Sequence, residues 1–255
     1  MVRGLEKLKE YFKDYSENFI IIGGTACDIL IDDAGFTPRA TKDIDIILIV
    51  EALNPDFVGQ FWHFVKDGDY ERNEKGEENR QYYRFVKPSN AEFPFQLELF
   101  ARNPDILDLN TDTHLTPIPV DDDLSSLSAI LLDDIYYQFM IDHSLNTDGV
   151  QLANIEALIC LKAKAYLDIA KRIKGGGSED SKHLKKHKAD VFRLAVMLTD
   201  SDLIDIPAPI KADMQQFIDE INDNLPPQQI LKNMGLSNVK IESVLEQIKK
   251  SFGIY

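Results

Sequence analysis

Cysteine is scarce in this chain, with Cys27 and Cys160 the only two in 255 residues. Their separation fits no metal-ligand spacing. The opening stretch MVRGLEKLKEYFKDYSENF carries charges throughout and no apolar signal core. Both thiols are therefore expected to be free and buried, and the protein to be cytoplasmic. Long apolar runs are missing too. Runs such as residues 19–22 and 44–50, the latter interrupted by Asp45, fall far short of the ~20 residues that span a bilayer, so no membrane partner is expected. Basic charge is in deficit: 28 Lys and Arg stand against 43 Asp and Glu, a net charge of −15. This excludes a surface that coats polyanions over its whole extent, and any nucleic-acid partner must meet a local basic patch. Internal repeats and heptads are absent.

What is present is a change of texture along the chain. Its length implies one or two domains and ample surface to bury. Leu5, Leu8, Phe12 and Tyr15 share one face of a predicted helix. Residues 18–22 read as a buried strand ending at Gly23-Gly24, residues 25–33 as a short helix, and the β-branched run 43–50 as a second strand. Residues 55–66 form a predicted helix with proline in its first turn. Residues 80–86 and 93–100 read as further strands. From about Thr111 the pattern shifts. Pro117, Pro119 and the acidic run 121–123 mark a boundary, followed by a β-like stretch over 130–140. From Asn154 the chain reads as helical. Gly175-Gly176-Gly177 breaks the first long helix, and Ser178 is placed to cap the next, with Glu179 and Asp180 in its first turn. Helices are also predicted over 209–224 and 237–252, separated by Gly235. The expected fold is α/β (α+β): a mixed sheet with flanking helices over residues 1–115, and a mostly helical C-terminal domain over 116–255.

The informative segment is IIIGGTACDILIDDAGFTPRATKDIDIIL, residues 20–48. A strand ends in Gly23-Gly24 and opens a helix, where backbone amides approach a ligand closely and the helix N-terminus favours an anion. Taken alone, such a pair is most often a tight turn. Arg39 follows, a fixed cation suited to phosphate oxygens. Then come Asp43 and Asp45, two residues apart on a strand and therefore on one face, with Ile44, Ile46 and Leu48 on the other. Paired carboxylates are best tolerated when they share a hard divalent cation such as Mg²⁺ or Mn²⁺. In residues 95–100 Leu97 and Leu99 share one strand face and Glu98 takes the other. If that strand lies beside Asp43 and Asp45, Glu98 completes a two-metal site.

The succession G-G-x-A, R-x-T-x-D-x-D and an apolar strand with a single acid resembles the DNA polymerase β-like nucleotidyltransferase superfamily. More narrowly it is similar to the AbiEii-like branch, which includes toxins of type IV toxin–antitoxin systems. The resemblance implies that Gly23 and Gly24 hold a triphosphate. It also implies that Asp43, Asp45 and Glu98 hold Mg²⁺, with Glu98 helping to activate the attacking hydroxyl. Relatives more often carry Asp at the third position. The branch also shows L-I-x-x-K-x-x-A, matched by residues 158–165, and a K-D-x-x-D-L-like segment, resembled in altered form by residues 188–194. There Ala189 separates Lys188 from Asp190, and Arg193 stands where a second acid usually lies. The resemblance implies phosphate binding by Lys162 and nucleotide-binding roles for Lys188 and Asp190.

Between Lys162 and Arg193 ten basic residues face four acidic ones, a net of +6, which leaves −21 for the remainder. This segment either meets triphosphate or an RNA backbone, or packs as a charge-balanced helix pair. His183 and His187, one helical turn apart, have no third ligand nearby and read as part of a solvated basic face. Lys42 is expected to be exposed and Thr41 structural. The function expected is metal-dependent transfer of a nucleoside monophosphate from an NTP to an acceptor hydroxyl, on an RNA end such as tRNA or on a protein. The resemblance adds a toxin-like role and a cognate antitoxin. Two alternatives stay open: a catalytically inactive nucleotide- or RNA-binding module, and a metal-dependent phosphohydrolase.

Overall fold

The computed structural model describes residues 2–75, 81–102, 115–117, 128–176 and 180–254. Arg80, Pro119, the acidic run 121–123, Gly177, Ser178 and Glu179 lie outside these residues, as does the boundary expected near Thr111. The chain divides into two compact units, residues 1–28 with 40–153 and residues 29–39 with 154–255.

The first unit is built on a mixed sheet. Helix α1 (Leu5–Tyr11) precedes β1 (Phe19–Ile22), whose four residues are all buried. Strand β1 runs directly into α2 (Gly23–Asp33), and β2 (Asp43–Leu48) follows. Helix α3 (Pro55–Asp67) starts at Asn54, whose side chain accepts a bond from the Phe57 amide, with proline in the first turn as expected. Strands β3 (Glu71–Lys75), β4 (Gln81–Val86), β5 (Gln96–Ala101), β6 (Leu115–Pro117) and β7 (Ser128–Leu131) come next. Helix α4 (Asp134–Asp142) then leads to the hairpin β8 (Ser144–Thr147) and β9 (Val150–Ala153). The strand order is β3-β4-β5-β2-β1-β9-β8, with β7 pairing to the end of β5 and β6 to β7. Strand β2 is antiparallel to β1 and parallel to β5, and β9 is parallel to β1.

One face of this sheet is apolar. Phe85, Leu97 and Ile44 are in register across β4, β5 and β2. Against Phe85 packs an aromatic cluster, Phe12, Phe57, Phe61, Phe64 and Phe93, buried almost completely. Each buried ring contributes roughly 1.5–3 kcal/mol by area alone, so this face anchors the strands. The next register position carries Arg84, Glu98 and Asp45, which alternation turns to the opposite face.

The second unit is helical. Helix α5 (Ile155–Lys174) is capped by Asn154, whose Oδ1 accepts from the Ala157 amide at 3.0 Å. It is followed by α6 (Ser181–Ala195), α7 (Ala208–Ile221), α8 (Gln229–Asn233) and α9 (Ile241–Phe252). Phe192, Met214, Phe217, Leu231 and Phe252 form its buried interior, with Tyr166 edge-on to Phe217 at 5.3 Å. Lys164 pairs with Asp168 and Asp213, and Lys174 with Glu220, so much of the basic charge of α5 is neutralised locally.

Fold class agrees with expectation: a mixed sheet with flanking helices, and a helical C-terminal part. Several details differ. The sheet unit extends to Ala153, because β7, β8 and β9 all join the sheet. Residues 130–140 are not one β-like stretch. The strand stops at Leu131, and Asp133 caps α4 by accepting from the Ile135 and Tyr136 amides. Helix α6 is capped by Asp180, which accepts from the Lys182 amide at 2.9 Å. Cys27 and Cys160 are both buried thiols outside any disulfide, as anticipated. No helix of the described residues is long and apolar enough to cross a membrane.

Candidate functional site

In the first unit the site begins at the junction of β1 and α2. Gly23 has φ +70°, and a Cβ there would lie 2.0 Å from Asp45 Oδ2. The Asp45 carboxylate thus rests directly on the Gly23 backbone, at the N-terminal end of α2, and only glycine leaves that space. Gly24 and Thr25 complete the first turn. Thr25 is fully buried and its hydroxyl donates to the Asp43 carbonyl at 2.7 Å, tying the helix to the start of β2. One turn on, buried Asp28 accepts from the Thr41 amide at 2.6 Å. That bond holds the chain just after Ala40, which sits at φ +63°, a conformation that costs a non-glycine residue about 1–2 kcal/mol. Thr41 is structural and Lys42 exposed, as expected.

Asp43 and Asp45 are both half-buried and on one strand face, while Ile44 and Ile46 are buried beneath. Strand β5 lies beside β2 in the register that sets Asp45 next to Glu98 and Asp43 next to Gln96. All three acids therefore start from the same face of adjacent strands. Their side chains do not converge. Among the described residues no three His, Cys, Asp or Glu side chains are gathered closely enough to hold a metal ion. Glu98 has a partner on its other side. Arg84 stands opposite it on β4, and both its Nε, at 3.0 Å, and its Nη2 donate to Glu98 Oε1. Glu98 is thus engaged by a guanidinium and does not complete the expected trio in this structure. The donor chemistry still fits a hard cation. Two carboxylates alternate on one face, the Gly23 cradle accommodates one of them, and Mg²⁺ is commonly held by one or two carboxylates, with waters and phosphate oxygens filling its shell.

In the second unit Asp190 organises a buried ionic cluster. Its side chain is 1% exposed, and Oδ1 accepts from Arg39 Nε at 3.1 Å and Arg193 Nη1 at 2.9 Å. Lys162, 6% exposed, approaches Oδ2 at 3.8 Å. Three cations surround one carboxylate, an excess of positive charge. Asp190 Oδ2, Arg39 Nη2 and His187 Nδ1 are buried without a hydrogen-bond partner among the described residues. Burial, with the Lys162 charge next, pushes the His187 imidazole down to about 3 and keeps it neutral. His187 is therefore part of this cluster rather than of a solvated face, whereas His183 is exposed.

Arg39, Lys162 and Asp190 are brought together. Lys188 is not with them. Two residues from Asp190 on α6, it cannot share that helix face, and its ammonium donates to the Asn224 carbonyl instead. Burial, with Lys185 next, lowers its pKa. Sequence reasoning missed Thr25, Asp28 and Arg84, and it placed His187 on a solvated face. Thr25 and Asp28 lie inside the G-G-T-A-C-D run and were readable from it. Arg193 had been seen only as a missing acid.

Neither a protein-family profile nor a curated protein matches the chain. The chain is similar to a solved structure, the crystal structure of the Megavirus polyadenylate synthase, at 12% identity and a TM-score of 0.35. That likeness covers 86% of this chain but 36% of the viral one.

Proposed function

We propose that this chain is a metal-dependent nucleotidyltransferase that moves a nucleoside monophosphate from an NTP to an acceptor hydroxyl. The observation that carries this reading is the polar face of the sheet: Asp43 and Asp45 side by side, Glu98 in register with Asp45, and Gly23 pressed against the Asp45 carboxylate. Asp43 and Asp45 would hold the divalent cation. When bound, that cation lowers the pKa of the acceptor hydroxyl and neutralises the leaving pyrophosphate. The amides at Gly23 and Gly24 would receive phosphate oxygens at the start of α2. Phosphate-binding roles for Arg39 and Lys162, which pair with Asp190 in the second unit, are carried over from the sequence reading alone. In the reaction the acceptor oxygen forms a bond to the α-phosphorus, the bond from that phosphorus to the pyrophosphate breaks, and the hydroxyl proton passes to a carboxylate, Glu98 in this reading. An RNA end such as tRNA, or a protein hydroxyl, is the acceptor class. The AbiEii-like, toxin-like role with a cognate antitoxin rests on the sequence resemblance alone.

The test is incubation with each α-labelled NTP, Mg²⁺ or Mn²⁺ and total cellular RNA. Label on RNA or on protein supports transfer. The double substitution Asp43→Ala, Asp45→Ala is expected to abolish it while circular dichroism stays unchanged, and unaltered turnover would sink the assignment. Free monophosphate without label transfer would favour a phosphohydrolase. A second reading, a nucleotide-binding module without transfer, is favoured by the capture of Glu98 by Arg84, and tight nucleotide binding without turnover would establish it.

A further inference from the structure

We propose that Arg84 is a positioning residue that competes with the divalent cation for Glu98, so that loading of the site requires the Arg84–Glu98 pair to open. The inference rests on the metal-site reading above and deepens it. Strand register makes Glu98 the direct neighbour of Asp45 on one side and of Arg84 on the other. Adjacent strands are separated by about 4.8 Å, so the same carboxylate reaches either partner by side-chain rotation alone. Without a cation, rotation toward Asp45 brings like charges together, while rotation toward Arg84 makes two charge-assisted bonds to one oxygen. The structure shows the second arrangement, and the three acids are not gathered.

The pair is built to exchange. The Arg84 side chain is 38% exposed, so its pair with Glu98 lies within reach of water. Partly exposed ion pairs are weakly held compared with buried ones. Glu98 itself is 13% exposed, sheltered enough that it does not stand unpaired without cost. A divalent cation between Asp43 and Asp45 reverses the balance, since it removes the repulsion that kept Glu98 away and offers a stronger counter-charge than Arg84.

Mn²⁺ titration of the 255-residue chain, followed by the loss of the free-ion electron paramagnetic resonance signal, reads this directly and without turnover. Arg84→Ala is expected to bind Mn²⁺ more tightly than the unaltered chain, on the order of fivefold, the scale of a partly exposed ion pair. Adding Glu98→Gln to Arg84→Ala should erase that gain, and Arg84→Lys should fall between. Equal Mn²⁺ affinity for the unaltered chain and Arg84→Ala would overturn the competition while leaving the metal site intact. Weaker binding by Arg84→Ala would overturn it as well, making Arg84 an aid to the ligand rather than a rival. Absence of Mn²⁺ binding in every variant, with folding verified by circular dichroism, would overturn the metal-site reading and the competition with it.

Discussion

At the scale of single residues, Gly23 is the position where backbone and chemistry meet. Its φ of +70° is open to glycine at no steric cost, and the space a Cβ would fill is held by the Asp45 carboxylate. Gly23→Ala must therefore either strain the turn or displace a carboxylate carried on a short side chain from a paired strand. We expect a destabilisation of about 2 kcal/mol or more, read as a lower urea midpoint, together with weakened Mn²⁺ binding. Unchanged values for both would show that Asp45 moves aside freely. Much of this site was legible from residue types: a glycine pair closing a strand, two acids in alternation, one acid among leucines. Arg84 was not, because its significance lies in a cross-strand pairing between β4 and β5 that periodicity along one strand does not encode. Lys188 misled for a related reason. It stands in a recognisable segment, but the 3.6-residue turn points it to the Asn224 carbonyl rather than toward Lys162.

Among the elements, α5 and α6 enclose an ionic cluster that should make unit two sensitive to acid. His187 on α6 faces Lys162 from α5, Asp190, Lys186 and His183 from its own helix, and a largely dehydrated surrounding. Its folded pKa near 3 lies below the unfolded value of 6.5. Between these values the unfolded chain binds the extra proton, so the stability of the neutral form is complete above pH 6.5 and is lost as pH falls toward 3. His187→Leu removes this dependence. Urea midpoints measured at several pH values should show the unaltered protein losing ground to the variant by about 1.4 kcal/mol per pH unit below pH 6.5. Parallel curves would mean that the imidazole is not held neutral. Elements with local signals were the readable ones: the Asn54-Pro55 start of α3, the run of β2, the Asn154 cap of α5. The β8–β9 hairpin was missed although Asp148-Gly149, at φ 49° and 82°, has the sequence of a tight two-residue turn. Its strands alternate too weakly to stand out. Helix α4 was hidden by the apolar run before it, and the cap at Asp133 decided the matter.

For the whole molecule, the division into units redistributes the charge. The sheet unit holds 12 Lys and Arg against 27 Asp and Glu, and so carries the entire net −15, while the helical unit has 16 of each and is neutral. The excess of ten basic over four acidic residues between Lys162 and Arg193 is offset within its own unit, partly through the pairs with Asp213 and Glu220. Self-repulsion in an acidic unit destabilises the compact state and is screened by salt. The thermal midpoint should therefore rise as KCl increases from low to physiological concentration. A cation bound at Asp43 and Asp45 adds a separate contribution, because a ligand of the folded state alone stabilises it by mass action, about 2.7 kcal/mol at a hundredfold excess over its dissociation constant. MgCl₂ at matched ionic strength should then raise the midpoint beyond the KCl value, and MnCl₂ likewise. In Asp43→Ala, Asp45→Ala the KCl response should persist, slightly reduced by the loss of two negative charges, while the divalent increment disappears. Equal midpoints in KCl and MgCl₂ for the unaltered chain would assign the whole effect to screening. The two carboxylates would then be solvated strand residues rather than cation ligands.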